Sequence, residues 1–194
     1  MPKIVDHEER RREVLSAAST VIVRDGIDAA TSRAIAREAG LSNGVLGHYF
    51  TDKDEILLSA LRHSHQRIRA RITRRVEGLT GLAALREVLL DNLPLDAERD
   101  QETRLEISFW SRSLAVERLA EVQRADAAEL RAAVRQLLEQ ARAAGEIRTD
   151  DDLDVVVERL LALVDGLSLR SLLYPDQLGR AELERIVITT LEAL

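Results

Sequence analysis

Residues 31–53, TSRAIAREAGLSNGVLGHYFTDK, decide how this chain folds. Thr31 or Ser32 can cap a short helix that runs to Glu38, with Ala34, Ile35 and Ala39 as its inward positions. Gly40 ends that helix, and Ser42 is a good N-cap for a third one reaching Tyr49 or Phe50, because a serine hydroxyl can accept from the free N–H groups of a helix start. Two short helices joined by a glycine-containing turn make the helix-turn-helix pattern.

Apolar periodicity extends the helical reading both ways. Upstream, Val14, Leu15, Ala18, Val21 and Ile22 recur at three- and four-residue spacing and predict a helix from His7 to Asp25, with Gly26 as its C-terminal cap. Downstream, Asp52 and Glu55 resemble a capping box that opens a fourth helix, lined by Leu57, Leu61, Ile68, Ile72 and Val76 and closed by Gly78 and Gly81. Further helices are expected near 82–93, 101–113 and 116–144, from Asp151 or Asp152 to Leu173, and over 180–193. The run Asp150–Asp152 reads as helix-capping. No segment has strand periodicity, so the expected fold is all-α: a three-helix helix-turn-helix domain over 1–52 and a larger helical domain over 53–194, about nine helices in all.

Composition agrees. Aromatic residues are 3% of the 194 and hydrophobic residues 45%, so the core must be aliphatic, which favours helices. With no cysteine there is no disulfide and no thiolate chemistry. No apolar run is long enough to span a membrane, and no signal peptide is apparent, so a cytoplasmic protein without membrane contact is expected. The net charge of −6 is unevenly spread. Residues 1–75 hold 14 Lys and Arg against 10 Asp and Glu, while the rest holds 14 against 24, so the helix-turn-helix end carries the positive excess.

The stretch from Thr31 to Lys53 resembles the helix-turn-helix of the tetracycline-repressor (TetR) family of bacterial regulators, in its Thr/Ser opening, Ile35-Ala36, Ala39-Gly40, Ser42, the run His48-Tyr49-Phe50, and Lys53. Arg104 to Trp110 and Leu163 to Leu167 look like the BetI-like subgroup. The resemblance implies a homodimeric, ligand-responsive transcriptional regulator, a repressor that binds a near-palindromic double-stranded DNA operator and is released by a small-molecule effector. A helical small-molecule binding or scaffolding protein without an operator is the alternative.

Arg33, Asn43, Gly44, Val45, Gly47 and His48 are the candidates for base readout. Asn43 can bond two edges of one base, Val45 can touch a thymine methyl, and the two glycines let the backbone approach. Most family members have a larger residue, often tyrosine, where this chain has Gly47. Ser32, Tyr49 and Lys53 are the phosphate candidates, Tyr49 reading equally as half-buried packing. Phe50 and Leu46 read as core. Arg10, Arg11 and Arg12 read as a solvated helix start or as phosphate contacts. Glu106, Phe109, Trp110, Asp165 and Ser168 are candidates for an effector pocket, suited to a cationic ligand because a carboxylate and an indole face both attract cations. Trp110 as packing and Glu106 as an ion-paired or surface residue are the plainer readings. Leu160, Leu163, Val164, Leu167, Ile186 and Val187 are the candidates for a dimer interface, since the helix after Asp152 is apolar around much of its circumference. His63 and His65 stand two apart on a helix and cannot share a metal. No nucleophile, phosphate loop or metal motif is present, so neither enzyme activity, catalytic residues, a metal nor a cofactor is expected.

Overall fold

The computed structural model describes residues 7–149 and 151–194. Among them are nine helices and no strand: α1 (His7–Asp25), α2 (Ser32–Glu38), α3 (Asn43–Leu46), α4 (Lys53–Arg75), α5 (Gly81–Asp91), α6 (Ala97–Ser113), α7 (Glu117–Ala143), α8 (Leu153–Leu173) and α9 (Arg180–Glu192). The expected all-α fold is what forms. Of the Asp150–Asp152 run, Asp152 caps α8 by accepting from the Asp154 N–H at 2.9 Å, and Asp150 lies outside the described residues.

Two boundaries differ from expectation. The third helix stops at Leu46 and continues only as turns to Tyr49, four residues rather than seven or eight. Gly44 within it and Gly47 just after it supply no side-chain contacts, and glycine is a poor helix former. The sixth helix starts at Ala97 rather than near Gln101, because Asp96 caps it: the Arg99 N–H donates to the Asp96 carboxylate at 2.8 Å.

The chain forms two compact units, 7–66 with 105–123, and 67–104 with 124–149 and 151–194, so the division falls inside α4. In the first unit Val14, Ala18, Val21 and Ile22 of α1 meet Ile35 and Ala36 of α2, Leu46 of α3, Phe50, and Ile56, Leu57 and Leu61 of α4. Leu105 and Phe109 of α6 and Leu119 of α7 belong to the same cluster. The turn between α2 and α3 is fixed by the left-handed Gly40 (φ 66°), which lets the Leu41 N–H reach back to the Ala36 carbonyl at 2.8 Å and the Gly40 N–H to Arg37 at 3.2 Å.

The second unit packs α5, α7, α8 and α9 around Leu85, Leu89, Leu93, Leu138, Leu160 and Leu183. Beside that core lies a buried ionic knot. Arg71 bonds Asp91 through Nε and Nη2 (3.0 Å each to its closest oxygen) and Glu102 through Nη1 and Nη2 (3.0 and 2.6 Å), and the Asp91 side chain is wholly buried. Burial opposes the charge on Arg71, but the hydrogen bonds and charges of Glu102 and Asp91 outweigh it and raise its pKa. Removing one member of such a knot strands a buried charge at a cost of about 3–5 kcal/mol.

The start of α5 is capped from a distance. Thr80 provides no side-chain bond; instead the Leu82 N–H donates to the Glu146 carboxylate at 2.8 Å and the Gly81 N–H to the Gln140 side-chain oxygen at 3.2 Å. Gly81 has φ 56°, and a β-carbon there would strike the Glu146 carboxylate. Gly81→Ala is therefore expected to destabilise the protein by about 1–3 kcal/mol, a lowered midpoint in urea unfolding. Glu146→Ala, which removes only the cap, is expected to cost about 1 kcal/mol.

Candidate nucleic-acid interface

The first unit presents one end of its helix-turn-helix to solvent. The Thr31 hydroxyl accepts from the Ala34 N–H and the Ser42 hydroxyl from the Val45 N–H, both at 3.2 Å, so each short helix is held by its own N-cap. Leu46 and Phe50 point into the core, as expected. Asn43, Gly44, Val45, Gly47 and His48 are all exposed, and so is Arg33 of α2. The result is a short, side-chain-poor surface whose polar groups, Asn43 and His48, flank bare backbone. Neither glycine is demanded by the fold. Gly44 and Gly47 are outside the left-handed region, Gly47 with φ −63°, and a β-carbon at either would meet only ordinary neighbours, the nearest at 3.9 and 3.5 Å.

The residues around that surface have distinct local roles. The Tyr49 ring is half-buried and lies 4.6 Å from the His7 ring, centroid to centroid. Lys53 donates to the Asp28 carbonyl at 3.3 Å, which steers its ammonium toward the α1–α2 connection. Ser32 is half-buried at the start of α2. Arg11 does more than a solvated helix start would: it donates to the Tyr49 carbonyl (2.7 Å) and the Ser59 hydroxyl (3.2 Å), and its guanidinium lies 4.3 Å over the Phe50 ring. Arg11 thus pins the end of the recognition segment to α1 and α4. Arg10 is paired with Glu13, and Arg12 is exposed.

The opening of α4 departs slightly from the expected capping box. Asp52 accepts from the Glu55 N–H at 2.8 Å, but the Glu55 carboxylate reaches past Asp52 to the Thr51 N–H (2.7 Å) and hydroxyl (2.8 Å). These two bonds from Thr51, against some desolvation and helped by Arg11, hold the Glu55 carboxyl below the ordinary carboxylate range.

The residues singled out for an effector pocket belong to different units. In the first, Phe109 is fully buried in the core, while Glu106 accepts from Trp110 Nε1 (3.1 Å) and meets His65 Nε2 (3.0 Å). His65 is itself buried. In the second, Ser168 is buried and donates to the Asn92 carbonyl at 3.2 Å, and Asp165 is exposed. Of the interface candidates, Leu160, Val164, Leu167 and Val187 are buried in the chain's own core, and Leu163 and Ile186 pack half-buried against it. The opposite face of α8 carries Val155, Ala162, Leu169 and Leu173, all exposed, with Gly166 half-buried among them. Their spacing of seven, seven and four keeps them on one line along the helix. The sequence pattern marked α8 as apolar on two faces without separating the inner face from the outer one. Among the described residues no helix is long and apolar enough to cross a membrane, and no group of three or more His, Asp or Glu side chains is placed to hold a metal ion.

A capped helix-turn-helix with a polar, exposed second helix on an all-helical body defines a DNA-binding regulator. Residues 14–60 match the model for the bacterial regulatory proteins of the tetR family, and residues 81–194 match that for the C-terminal part of BetI-type transcriptional repressors. The chain belongs to the TetR family of transcriptional regulators, proteins that pair a DNA-binding N-terminal segment with a ligand-binding C-terminal one and are not enzymes. It is 32% identical to the regulator PksA of Bacillus subtilis over 100% of this chain and 94% of that protein, and 29% identical to BetI of Vibrio vulnificus over 97% and 93%. Among solved structures, a transcriptional regulator from Rhodococcus sp. Rha1 superposes with a TM-score of 0.83 at 28% identity, covering 93% of each chain. A regulator from Saccharomonospora viridis in complex with choline shares the fold, with a TM-score of 0.87 at 23% identity over 95% of this chain and 96% of that one.

The lowered Glu55 pKa gives a sign for pH dependence. A carboxylate whose folded pKa is depressed contributes stability that is present above its unfolded value and lost as pH falls through the folded one. Glu55→Gln is expected to cost about 1 kcal/mol at neutral pH and progressively less under acid, where the wild-type side chain is protonated as well. Urea melts at a series of pH values would show the two curves converging toward low pH.

Proposed function

We propose that this regulator is a cytoplasmic repressor that binds a near-palindromic operator as a homodimer and leaves it when a small cation binds the larger domain. The functional division is drawn at 52/53, with DNA reading in 1–52 and effector binding and dimerisation in 53–194. The observation that carries the DNA assignment is the exposure of Asn43 and Val45 on a capped helix, and of His48 in the turn after it, seated by buried Leu46 and Phe50. Asn43, Gly44, Val45, Gly47 and His48, with Arg33, are assigned to base edges, and Ser32, Tyr49 and Lys53 to phosphates. Selection of bound duplexes from a random pool tests the assignment directly. Asn43→Ala is expected to relax preference at one base pair per half-site, costing about 1–3 kcal/mol. Lys53→Ala is expected to weaken all sequences alike and to flatten the salt dependence, since a phosphate contact carries no base information. An unchanged selected sequence for Asn43→Ala would remove that residue from base readout.

For the dimer we assign the outer line of α8, Val155, Ala162, Leu169 and Leu173, with half-buried Leu163 and Ile186 beside it. A crevice of about 420 Å³, lined by Thr149, Asp151, Arg159, Thr189 and Leu194 among others, opens on α8 and α9 and offers room for side chains of a second copy. Leu169→Glu is expected to shift the protein from dimer to monomer in sedimentation and to weaken operator binding, whereas a dimer that survives it would need another face.

For the effector we assign Glu106 and Trp110, a carboxylate and an indole already in contact. The regulator of this fold that holds choline makes a quaternary ammonium the first probe. Because coupling between sites is reciprocal, a probe that weakens operator binding must itself be bound more weakly by the operator complex.

A further inference from the structure

The first unit contains a cation whose position has no explanation in packing alone. Arg112, in the last turn of α6, extends its guanidinium to two acids from separate elements of the first unit. Nη1 donates to the Asp28 carboxylate in the α1–α2 connection at 3.1 Å, and Nη2 lies 3.8 Å from the Asp54 carboxylate in the first turn of α4. Its Nε is buried without a hydrogen-bond partner, a desolvation cost. An ion pair to an aspartate as exposed as Asp28, 91% accessible, gives little back in stability. The arrangement therefore calls for a return other than fold stability.

Lys53 supplies it. Lys53 adjoins Asp54 in sequence, and its ammonium donates to the backbone carbonyl of the same Asp28 whose carboxylate Arg112 holds. The ammonium assigned to phosphate is thus bound to the backbone of one of the two acids that Arg112 pairs with, and the other is the next residue in the chain. Left uncompensated, both would act on a phosphate at Lys53 within a Debye length and oppose its binding. We propose that Arg112 is a positioning residue for DNA binding: from α6 its single charge offsets part of the negative charge of Asp28 and Asp54, so that the phosphate at Lys53 meets a balanced rather than a net negative group of charges. The idea rests on the DNA-binding role of Lys53. It also gives α6, the helix that carries Glu106 and Trp110, a charge at the DNA-reading end.

The role is electrostatic, and this separates it from a mere mechanical tie. Lys53 is held by a backbone carbonyl, which survives replacement of the Asp28 side chain. Operator affinity is measured by fluorescence anisotropy at several salt concentrations for wild type, Arg112→Gln, Arg112→Lys, the pair Asp28→Asn with Asp54→Asn, and the triple variant that adds Arg112→Gln to that pair. Arg112→Gln is expected to lose about fivefold in affinity at low salt, with the loss shrinking as salt rises and the preferred sequence unchanged. Arg112→Lys should keep most of the affinity, and the triple variant should recover it. The Asp28/Asp54 pair alone should bind as well as wild type or better. If the pair binds as poorly as Arg112→Gln, or the triple variant fails to recover, Arg112 is a tie and the proposal is wrong. Equal affinity of Arg112→Gln and wild type also overturns it. Circular dichroism and thermal melts on each variant separate misfolding from lost binding, and Arg112→Lys carries the decision should Arg112→Gln fail to fold. A wild-type protein without operator affinity would instead overturn the DNA-binding role of Lys53 itself.

Discussion

The DNA-reading helices of this protein cannot stand by themselves, and Phe109 is the side chain that makes this plain. α2 has seven residues and α3 four, well below the length at which an isolated helix is even marginal in water. Their stability must come from tertiary burial, yet α1, α2 and α3 offer one another mostly alanines, valines and isoleucines. The bulk that fills the cluster comes from Phe50 and Leu57 nearby in sequence and from Leu105, Phe109 and Leu119, more than fifty residues further on. The reader's core thus borrows its largest fully buried side chain from α6. Whatever displaces α6 acts on the packing of the reader itself, not only on its orientation.

Much of this could be read before any coordinates. The residues that end and start helices, Gly26, Thr31, Gly40, Ser42 and Asp152, act through local backbone chemistry, and such chemistry is written where it operates. The start of α6 was missed because its apolar pattern begins late, whereas its cap, Asp96, stands ahead of a polar first turn. The third helix was read as too long because glycine's weakness as a helix former is a small local cost, without a stop signal of its own. Asn43, Val45 and His48 were legible as an exposed group because Leu46 and Phe50 alternate with them at helical spacing.

What sequence could not separate was burial within the chain from burial against a partner. Leu160, Val164 and Leu167 are as apolar as Leu169 and Leu173, and only the position of α5 and α9 decides which of them face inward. Partnerships across long sequence distances were equally hidden. Phe109 looked available for a pocket and is wholly packed; Arg11 looked like a solvated charge and grips the end of the recognition segment; Arg112 gave no signal, since its partners lie 84 and 58 positions away. Arg71 is one of several arginines on α4, and nothing local distinguishes it from the others, yet it holds Asp91 and Glu102, 20 and 31 positions on, out of water.

The two glycines of the recognition segment have a consequence for how such a regulator diverges. Mutations usually trade a new contact against lost stability. Here Gly44 and Gly47 have ordinary backbone geometry, and a β-carbon at either would make only ordinary van der Waals contacts, so a side chain can be grown at either without strain and, at Gly44, with a gain in helix propensity of up to about 1 kcal/mol. The surface we assign to base readout is for that reason unusually free to be rewritten. Duplicated copies of this gene could acquire new operators through single substitutions at these positions, while the core beneath them, resting on α6, stayed under unchanged constraint.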